Sequence, residues 1–428
     1  MPDRERTEIE RAIARAFQPR RRLTRRAFFR QAARGGAYAA GALSLPSILA
    51  ACGIGPAASS TPKPLPSSPA GTLIWANWPA YIDIDEDTGE YPTIAKFTDE
   101  TGIQVTYSED VNDNEEFFGK IQPDLAAGNP TTYDLIVLTD WMIERMIRLG
   151  YLEALDKSKL ASFEESVQDL YKDPWYDPGN TYSLAWQSGI TGIGYNKKLV
   201  ADLRPDNPTI TKFDDLLDPV FKGQVGMFSE MRDTMSLCLL SMGKKPEDAT
   251  NEDAKAAQEK LLEAANRQQF QGFYGNDYYD LLAGENLALT IAWSGDVSQM
   301  KLYDNPDVEF VIPDDGGMLW VDNMAIPKNA AHPLDAHMMM DFWYRLENAV
   351  PLTEYVGYFS PVKGVAEQVA ADAETARADD PEWADALEVI SETAFPSEAD
   401  LAKVHNYKRL TEDDEKVWND LFNEVVQG

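Results

Sequence analysis

The sequence predicts a mixed α/β protein built as two α/β lobes that are joined by a hinge. Two series of alternating strand-like and helix-like segments follow each other along the chain, a pattern typical of parallel sheets covered by helices. About 357 residues follow residue 71, more than a single hydrophobic core usually serves. We therefore expect the two series to form separate lobes.

The first series contains three strand–helix units. Its predicted strands are 72–77, 103–108 and 133–138, and its predicted helices are 93–102, 114–128 and 140–150. Gly102 and Gly150 end two of these helices, since glycine readily adopts the left-handed conformation needed there, and Pro123 should disturb a third. Ligands of parallel α/β sheets bind at the carboxyl ends of the strands. The residues that follow the first and third strands are therefore the first candidates for a site.

The second series is longer and ends in acidic helices. Its predicted strands are 223–228, 287–293, 308–313 and an apolar segment at 316–327, and its predicted helices are 229–243, 253–267, 333–348 and 411–426. The methionine and aromatic stripe of the helix 333–348 is typical of core packing and does not by itself indicate a cofactor site.

The N-terminus has the features of an export signal. Arg25 and Arg26 precede two aromatic residues, and a short run rich in Gly and Ala follows at 35–53. This run is too short and too weakly apolar for a membrane span of about 20 residues. The order of these features predicts a twin-arginine signal peptide over residues 1–51.

The segment that ends the signal, "LAAC", resembles the lipobox of bacterial lipoproteins and makes Cys52 the predicted lipidation site. Residues 53–71 are rich in Pro, Ser, Ala and Gly, so 52–71 is expected to be a lipidated, flexible linker. We therefore expect export by the twin-arginine route and a lipid anchor on the outer side of the cytoplasmic membrane, facing the periplasm or the cell surface.

The charge of the chain disfavours nucleic acid as a partner. The formal net charge is −32, and without residues 1–51, which hold 11 basic and 4 acidic residues, it becomes −39. Phosphate binding needs a basic patch, whereas an acidic protein attracts cationic solutes. Acidity that serves only solubility explains the total equally well.

Enzyme and metal-site motifs are missing from the sequence. After removal of Cys52 only Cys238 remains, so an intrachain disulfide is impossible, and three scattered histidines lack metal-ligand spacing. Zinc-protease, serine-hydrolase and phosphate-loop motifs do not occur. No cofactor and no metal are expected.

The apolar segment 316–327, "GGMLWVDNMAIP", contains one carboxylate. Alternate side chains of a strand share a face, so Trp320 and Asp322 should point the same way. A buried carboxylate needs a cation, hydrogen-bond donors or water. Either a distant basic residue of the chain covers Asp322, or the cation comes from outside.

Other predicted strand ends carry the same two residue types, aromatic and acidic. The candidate ligand-binding residues are Trp78, Tyr81, Thr139, Trp141, Glu230, Asp233, Trp293, Asp296, Trp320, Asp322 and Tyr358. Carboxylates accept charge-assisted hydrogen bonds from ammonium groups, and aromatic faces attract cations and pack on methylenes. A phosphate or carboxylate ligand would need Arg or Lys instead.

From about residue 72 to the C-terminus the chain resembles the spermidine/putrescine-binding proteins of ABC importers. The resemblance rests on the order and spacing of "NWPAY", "FTDETGIQVTYS", "YDLIVLTDWMIERMIRLGYLEALDKSKL", "GITGIGYN", "FDDLLDPVFKG", "MLWVDNMAIP" and "VGYFSP". It implies a two-lobed periplasmic-binding-protein fold, type II-like, that closes over a polyamine at the hinge. It also implies a monomer that delivers its ligand to permease subunits and catalyses no reaction.

The resemblance also assigns roles. The binding aromatics fall on Trp78, Tyr81, Trp141, Trp293, Trp320 and Tyr358, and the amine-binding acids on Asp233 and Asp322, with Glu230 as a further candidate. Thr139 matches a small hydroxyl position, and Asp296 matches an acid of the putrescine-type members. The order Glu230 then Asp233 reverses the spermidine-type order, Ser188 replaces a frequent aromatic, and a C-terminal polar contact aligns near Tyr407 across an insertion.

The lobes are expected to combine distant parts of the chain. The first lobe is predicted to contain 72–188 plus 323–365, and the second 189–322 plus 366–428. The crossovers should lie near Ser188–Gly189 and Asp322–Met324, where the chain passes between the two series.

Several alternatives stay open at this point. Glu230 and Asp233 could serve only a helix N-terminus capped by Ser229, or pair with Arg232. The same fold could bind a sugar or another amine. A hydrolase using paired carboxylates such as Glu230 and Asp322 is a third reading, although nothing in the sequence raises the pKa of one acid.

Overall fold

The computed structural model describes residues 61–85 and 88–427. The predicted signal-peptide residues Arg25 and Arg26 and the predicted lipidation site Cys52 lie outside these residues. Within the described ranges, none of the helices has both the length and the apolar character required to cross a membrane.

In the described part of the chain, ten strands form one hydrogen-bonded sheet. They are β1 (Thr72–Ala76), β2 (Gln104–Ser108), β3 (Leu135–Thr139), β4 (Ser183–Asn196), β5 (Val225–Phe228), β6 (Phe270–Tyr274), β7 (Leu289–Trp293), β8 (Val308–Val311), β9 (Gly317–Ala325) and β10 (Val404–His405). The order is β2-β1-β3-β9-β4-β7-β5-β6, with β8 paired to β4 and β10 to β9. β1 pairs in parallel with β2 and β3, and β5 pairs in parallel with β6 and β7. Between these two groups, β9 is antiparallel to β3 and to β4, and β4 is antiparallel to β7.

Helices cover the sheet, and short 3₁₀ turns join several of them. The helices are α1 (Pro92–Thr101), α2 (Asn114–Ala127), α3 (Asp140–Arg148), α4 (Ala161–Ser166), α5 (Lys197–Leu203), α6 (Met231–Ser241), α7 (Asn251–Asn266), α8 (Tyr278–Ala283), α9 (Ser294–Tyr303), α10 (Pro333–Trp343), α11 (Leu346–Val356), α12 (Val365–Ala376), α13 (Pro381–Thr393), α14 (Glu398–Leu401) and α15 (Glu412–Gln427). We call β1–β3 with their helices the first lobe, and β5–β7 with theirs the second lobe.

The antiparallel pair β4–β9 connects the two lobes. Its first end, where Ser183 pairs with Ala325, lies beside β3, and its other end, where Thr191 pairs with Met318, lies beside β7. A register shift between Ala185 and Gln187 interrupts the pair. The two-lobed α/β architecture predicted from the sequence is confirmed, and both lobes share one continuous sheet.

The predicted crossover positions lie on this pair. Ser188 is opposite Val321 and Gly189 is opposite Trp320. The exact boundaries of the lobes stay a prediction, but the connecting strands place the residues at 188–189 and 320–322 at the junction of the two halves. This position brings the end of β3, the start of α6 and the start of α9 towards one cleft.

Several predicted elements need correction. The segment 333–348 is not one helix, because α10 ends at Trp343 and α11 begins at Leu346. The Asn348 side chain donates to the Phe342 carbonyl at 2.7 Å, and the Tyr344 hydroxyl donates to the Ala185 carbonyl of β4 at 2.6 Å, so side-chain contacts replace the helical ones at the break.

The N-terminus of α6 also differs from the prediction. The helix begins at Met231 with Glu230 as its N-cap residue, and no side chain caps it, so Ser229 is not its cap. In contrast, α2 has the expected start, because the Asp113 carboxylate accepts from the amides of Glu115 and Glu116. Pro123 is accommodated inside that helix without ending it.

Residues 61–71 of the predicted flexible linker are held against the first lobe. Lys63 Nζ donates to Glu153 at 2.6 Å and to Asn329 at 2.8 Å. The Asp335 carboxylate accepts from the amides of Ala70, Gly71 and Thr72 at 2.8–3.2 Å. The backbone donors and the lysine of this described part therefore find partners on the lobe, and the flexibility expected over 52–71 stays a prediction.

Candidate functional site

A cleft of about 740 Å³, partly open to solvent, lies between the lobes at the β4–β9 junction. Its walls are Trp78, Pro79, Tyr81, Asn114, Thr139, Trp141, Glu230, Asp233, Asn276, Tyr279, Trp293, Asp296, Trp320, Asp322, Tyr358 and Tyr407. The structure therefore brings together all eleven side chains selected from the sequence. Five of the lining residues are additional, and of these only Tyr407 had a signal in the sequence.

Thr139, the last residue of β3, fixes Asp322 in the cleft wall. The Thr139 hydroxyl donates to Asp322 Oδ1 at 2.8 Å and accepts from the Asn114 amide group at 2.9 Å. The Asn114 side-chain oxygen in turn accepts from the Thr139 amide at 3.2 Å. Asn114, at the start of α2, is one of the residues that sequence reasoning missed, because nothing in its local sequence separates it from an ordinary first-turn residue.

Asp322 is 6% exposed. Burial raises its pKa to about 7, while hydrogen bonds from Thr139 and Tyr81 oppose this shift and the charge of Asp233 adds to it. Among the residues that the structure describes, no Lys or Arg forms an ion pair with this carboxylate. The reading in which a distant basic residue covers Asp322 is therefore wrong for residues 61–85 and 88–427.

Aromatic rings enclose the carboxylate. Trp320 and Asp322 share a face of β9, as predicted, since both line the cleft. The Trp320 ring lies 5.2 Å from the Tyr358 ring, and Tyr358 lies 5.7 Å from Tyr81, both in edge-to-face geometry. These three rings form a continuous wall next to Asp322.

Two glycines make room for this wall. A Cβ at Gly189 would lie 2.4 Å from the Trp320 ring, and a Cβ at Gly295 would lie 2.5 Å from the Tyr358 ring. A side chain at either position would force the ring to move. The sequence analysis placed Gly189 near a crossover between the lobes but gave neither glycine a packing role.

Asp296, in the first turn of α9, is held by two tyrosines. Tyr358 donates to Asp296 Oδ1 at 2.5 Å, and Tyr278 donates to Oδ2 at 2.9 Å. The carboxylate is therefore oriented at the Tyr358 side of the cleft. Trp293, the last residue of β7, packs on Phe228 with ring centroids 4.6 Å apart and adds a further aromatic surface beside it.

Asp233 and Glu230 lie at the start of α6. Asp233 Oδ1 accepts from the hydroxyls of Thr191 at 2.5 Å and Tyr407 at 2.6 Å. Burial raises the pKa of Asp233 against the opposing effect of these two bonds. Burial also raises the pKa of Glu230 well above its usual range, and the neighbouring Asp113 and Asp233 charges add to the shift.

Arg232 does not neutralise either acid of α6. Its guanidinium donates to Glu415 at 2.5 Å and to the Lys408 carbonyl at 2.8 Å. The alternative pairing of Glu230 or Asp233 with Arg232 is therefore wrong. Arg232 instead lies over the Trp141 ring, 4.7 Å from its centroid.

The cleft thus combines four carboxylates with tryptophan and tyrosine rings, and no Lys, Arg or His of the described chain lines it. Groups of His, Cys, Asp and Glu that could hold a metal ion are also missing from the described residues. Trp78 and Tyr279 complete the walls. Such a site suits an elongated molecule with ammonium groups at its ends and methylenes between them.

Nothing in the sequence indicated that an acid has a raised pKa, but the structure shows raised pKa values for Asp322 and Glu230. Burial, which local sequence does not reveal, is the largest cause in both residues, and the charges of neighbouring acids add to it. The pKa of a buried acid in a ligand cleft rises in this way even where no reaction is catalysed, because burial removes water from its charged form.

Comparison with known proteins gives a consistent result. Residues 93–382 match the family described as bacterial extracellular solute-binding protein. The spermidine/putrescine-binding periplasmic protein of Salmonella typhimurium is 29% identical over 291 residues, which cover 68% of this chain and 77% of that protein. The putrescine-binding periplasmic protein SpuD of Pseudomonas aeruginosa is 30% identical over 293 residues, 66% of this chain and 76% of that protein.

Solved structures show the same similarity. A putative spermidine/putrescine ABC transporter from Listeria monocytogenes has a TM-score of 0.69 and 32% identity, covering 83% of this chain and 99% of its own. The spermidine/putrescine ABC transporter substrate-binding protein PotD from Streptococcus pneumoniae has a TM-score of 0.66 and 26% identity, covering 84% and 99% of the two chains.

Proposed function

The chain belongs to the bacterial extracellular solute-binding proteins, among the polyamine-binding proteins of ABC importers, and from this premise we propose that it captures spermidine or putrescine between its lobes. It then presents the polyamine to the permease subunits of an ABC transporter. It acts as a monomeric binding protein and catalyses no reaction. Neither a cofactor nor a metal takes part.

The observation that carries this proposal is the charge of the cleft. Asp322 and Asp233 are buried, their hydrogen-bond donors among the described residues are neutral, and their pKa values are raised. An ammonium group of a ligand supplies the positive charge that the described chain does not place there, and it lowers these pKa values on binding. Asp296 at the Tyr358 side can hold a second ammonium group.

The side chains that line the cleft indicate which class of ligand it binds. A sugar site shares stacking aromatics but uses amide and guanidinium groups around them, whereas four carboxylates favour a multiply charged cation. Trp320 and Trp293 pack on the methylenes between the ammonium groups.

The same arrangement of acids and rings supports a ligand-binding role for all eleven candidate residues. Thr139 orients Asp322, the acids Glu230, Asp233, Asp296 and Asp322 accept from ammonium groups, and the aromatic residues enclose the aliphatic chain. Tyr407, which donates to Asp233, joins the set. Asn114 acts through Thr139 and does not need to contact the ligand.

The proposed location is the outer side of the cytoplasmic membrane. Arg25 and Arg26 direct export by the twin-arginine route, and a lipid on Cys52 anchors the mature chain. Changing Arg25 and Arg26 to Lys should block export, and Cys52→Ala should release mature protein that still binds polyamine. A Cys52→Ala protein that stays in the membrane fraction after a high-salt wash would refute the lipid anchor.

A ligand screen tests the proposed function. Mature protein purified natively is analysed by mass spectrometry for a co-purified amine, and its thermal unfolding is then followed with diamines, triamines, tetraamines, sugars and amino acids. We expect stabilisation by spermidine or putrescine, because a ligand that binds the native state raises the melting temperature. Stabilisation by sugars or amino acids alone would contradict the proposal.

A further inference from the structure

Next to Trp141, a second charged cluster connects the two lobes. Its members are Glu115 and Arg145 of the first lobe and Arg232 and Glu415 of the second. Arg145 forms two parallel bonds of 2.7 Å with Glu115. The same guanidinium also contacts Glu415, so it bridges α2 of the first lobe and α15 of the second.

Glu415 is the centre of this cluster. It is 8% exposed, and its Oε1 atom is in contact with Arg145 and with Arg232. Burial alone would raise the pKa of Glu415, but the two guanidinium groups outweigh it and hold the pKa below its usual range. The carboxylate therefore stays ionised at neutral pH and separates two like charges.

The cluster touches the cleft through Trp141. The guanidinium carbons of Arg232 and Arg145 lie over the Trp141 ring, 4.7 and 5.4 Å from its centroid. Because these cations occupy the π surface, Trp141 offers the ligand apolar contact and not a free cation-binding face. Its ring position depends on both arginines, one from each lobe.

The cluster also supports Asp233 from behind. Arg232 immediately precedes Asp233 in α6, and it donates to the carbonyl of Lys408, the residue after Tyr407. Tyr407 in turn donates to Asp233. Glu415 thus fixes the helix start that carries one amine-binding acid and the C-terminal segment that hydrogen-bonds it.

A second ion pair reinforces this connection. Arg409 Nε, two residues after Tyr407, donates to Glu144 of α3 at 2.6 Å. Arg148 of the same helix lies 3.7 Å from Glu144. The C-terminal segment is therefore tied to the first lobe at two points, through Arg145–Glu415 and through Glu144–Arg409, although it packs on α6 and α7 of the second lobe.

We propose that Glu415 is a positioning residue of the cleft that latches the two lobes together through Arg145 and Arg232. The inference rests on the proposed polyamine capture and adds to it a determinant of ligand residence outside the cleft lining. Closure around the ligand brings α3 against α15, and the shared carboxylate then stabilises the closed form. Opening the cleft requires that Glu415 release Arg145.

The test compares mature Glu415→Gln with a control on the same helix, Glu412→Gln, whose side chain is exposed. Stopped-flow measurements with spermidine and with putrescine give the association and dissociation rates. In Glu415→Gln the two arginines lose the charge between them, so we expect dissociation to become roughly tenfold faster with little change in association, as is usual when contacts of the bound form are lost. The Glu412→Gln rates should match wild type.

A second variant guards against misfolding. Arg145→Met keeps the apolar stem of the side chain and removes the guanidinium group that contacts Glu415 from the first lobe. Like Glu415→Gln, it should make dissociation of the ligand faster. A purely structural role would lower the urea midpoint of Glu415→Gln and leave its dissociation rate unchanged, which would overturn the latch. Unchanged dissociation in a well-folded Arg145→Met would overturn it as well. Wild-type protein that binds neither amine would instead refute the proposed ligand, and the latch role with it.

Discussion

Thr139 at the end of β3 donates a 2.8 Å hydrogen bond to Asp322 on β9, the strand that crosses between the lobes. This neutral hydroxyl is a hydrogen-bond donor to a carboxylate that is 6% exposed. A buried acid with such partners is costly until a cation arrives. The relationship therefore links the stability of the ligand-free protein to its affinity for amines.

Replacing Asp322 by Asn should separate these two effects. Asp322→Asn keeps the shape and the contact with Thr139 but removes the charge, so spermidine binding should weaken by about 2 kcal/mol or more. The ligand-free variant should be as stable as wild type or more stable, since burial raises the pKa of Asp322 to about 7 and so disfavours its charged form in the folded state.

Titration calorimetry and urea unfolding at pH 8 measure both quantities. The exposed Asp206→Asn is the matched control and should change neither. An unchanged polyamine affinity together with a large loss of stability would make Asp322 a structural residue.

The raised pKa of Asp322 predicts a pH dependence of binding. With a pKa of about 7 only the ionised fraction accepts an ammonium group, so affinity should rise roughly tenfold between pH 6 and pH 8. Protons should be released on binding near pH 7, measurable as a buffer-dependent heat. A pH profile of Asp322→Asn that rises as steeply as wild type would contradict this assignment.

The raised pKa of Asp322 also predicts how the stability of the folded protein changes with pH. The folded pKa of Asp322 lies above that of the unfolded chain, so between about pH 4 and pH 7 the folded state binds more protons than the unfolded state. The contribution of this group to stability is therefore lost as the pH rises towards 7. Urea unfolding of ligand-free wild type should show this decline relative to Asp322→Asn.

Gly295 should be sensitive to a single methyl group. In Gly295→Ala the new Cβ would lie 2.5 Å from the Tyr358 ring, so Tyr358 must leave Asp296 or shift against Trp320. We expect polyamine affinity to fall roughly tenfold, about 1.4 kcal/mol, measured by calorimetry.

The control is Gly119→Ala, an exposed position inside α2 with no atom within 4 Å of the added Cβ. It should leave affinity unchanged and stabilise the protein slightly, because Ala is the better helix former. Equal binding by Gly295→Ala and wild type would show that the Tyr358 wall tolerates displacement.

The lobes should close on ligand binding. The β4–β9 pair, with Gly189 opposite Trp320 and a register shift near Ala185, offers the connection about which two lobes can rotate. Small-angle scattering of mature protein should show a smaller radius of gyration with saturating spermidine than without it. The same amine concentration should have less effect on Asp322→Asn, and an unchanged wild-type radius would contradict hinge closure.

Much of the fold was predictable because the strand–helix alternation of 72–150 is local. β1, β2 and β3 and the helices that follow them lie close to the predicted segments, and residues at strand ends do line the cleft. Trp320 and Asp322 could be placed on one face because the period of a strand is two. These are properties that neighbouring residues determine.

The central strand β4 was not predictable in the same way. Its glycines are typical of turns, yet in the structure they permit close packing, since a Cβ at Gly192 would lie 2.5 Å from the Val311 carbonyl and one at Gly194 would lie 2.8 Å from Ala292. The ion pairs of Glu415 are also hidden from the sequence, because Arg145, Arg232 and Glu415 are far apart along the chain. Only the fold brings them together.

The most direct test of the account compares two molecules of equal length that differ in charge. Mature wild-type protein is titrated at pH 8 with putrescine and with 1,4-butanediol, which has hydroxyls in place of the ammonium groups. If the cleft acids hold ammonium groups, putrescine should bind saturably at one molecule per protein, and butanediol should give no measurable binding. Equal affinity for both, or binding of neither putrescine nor spermidine, would contradict the central claim.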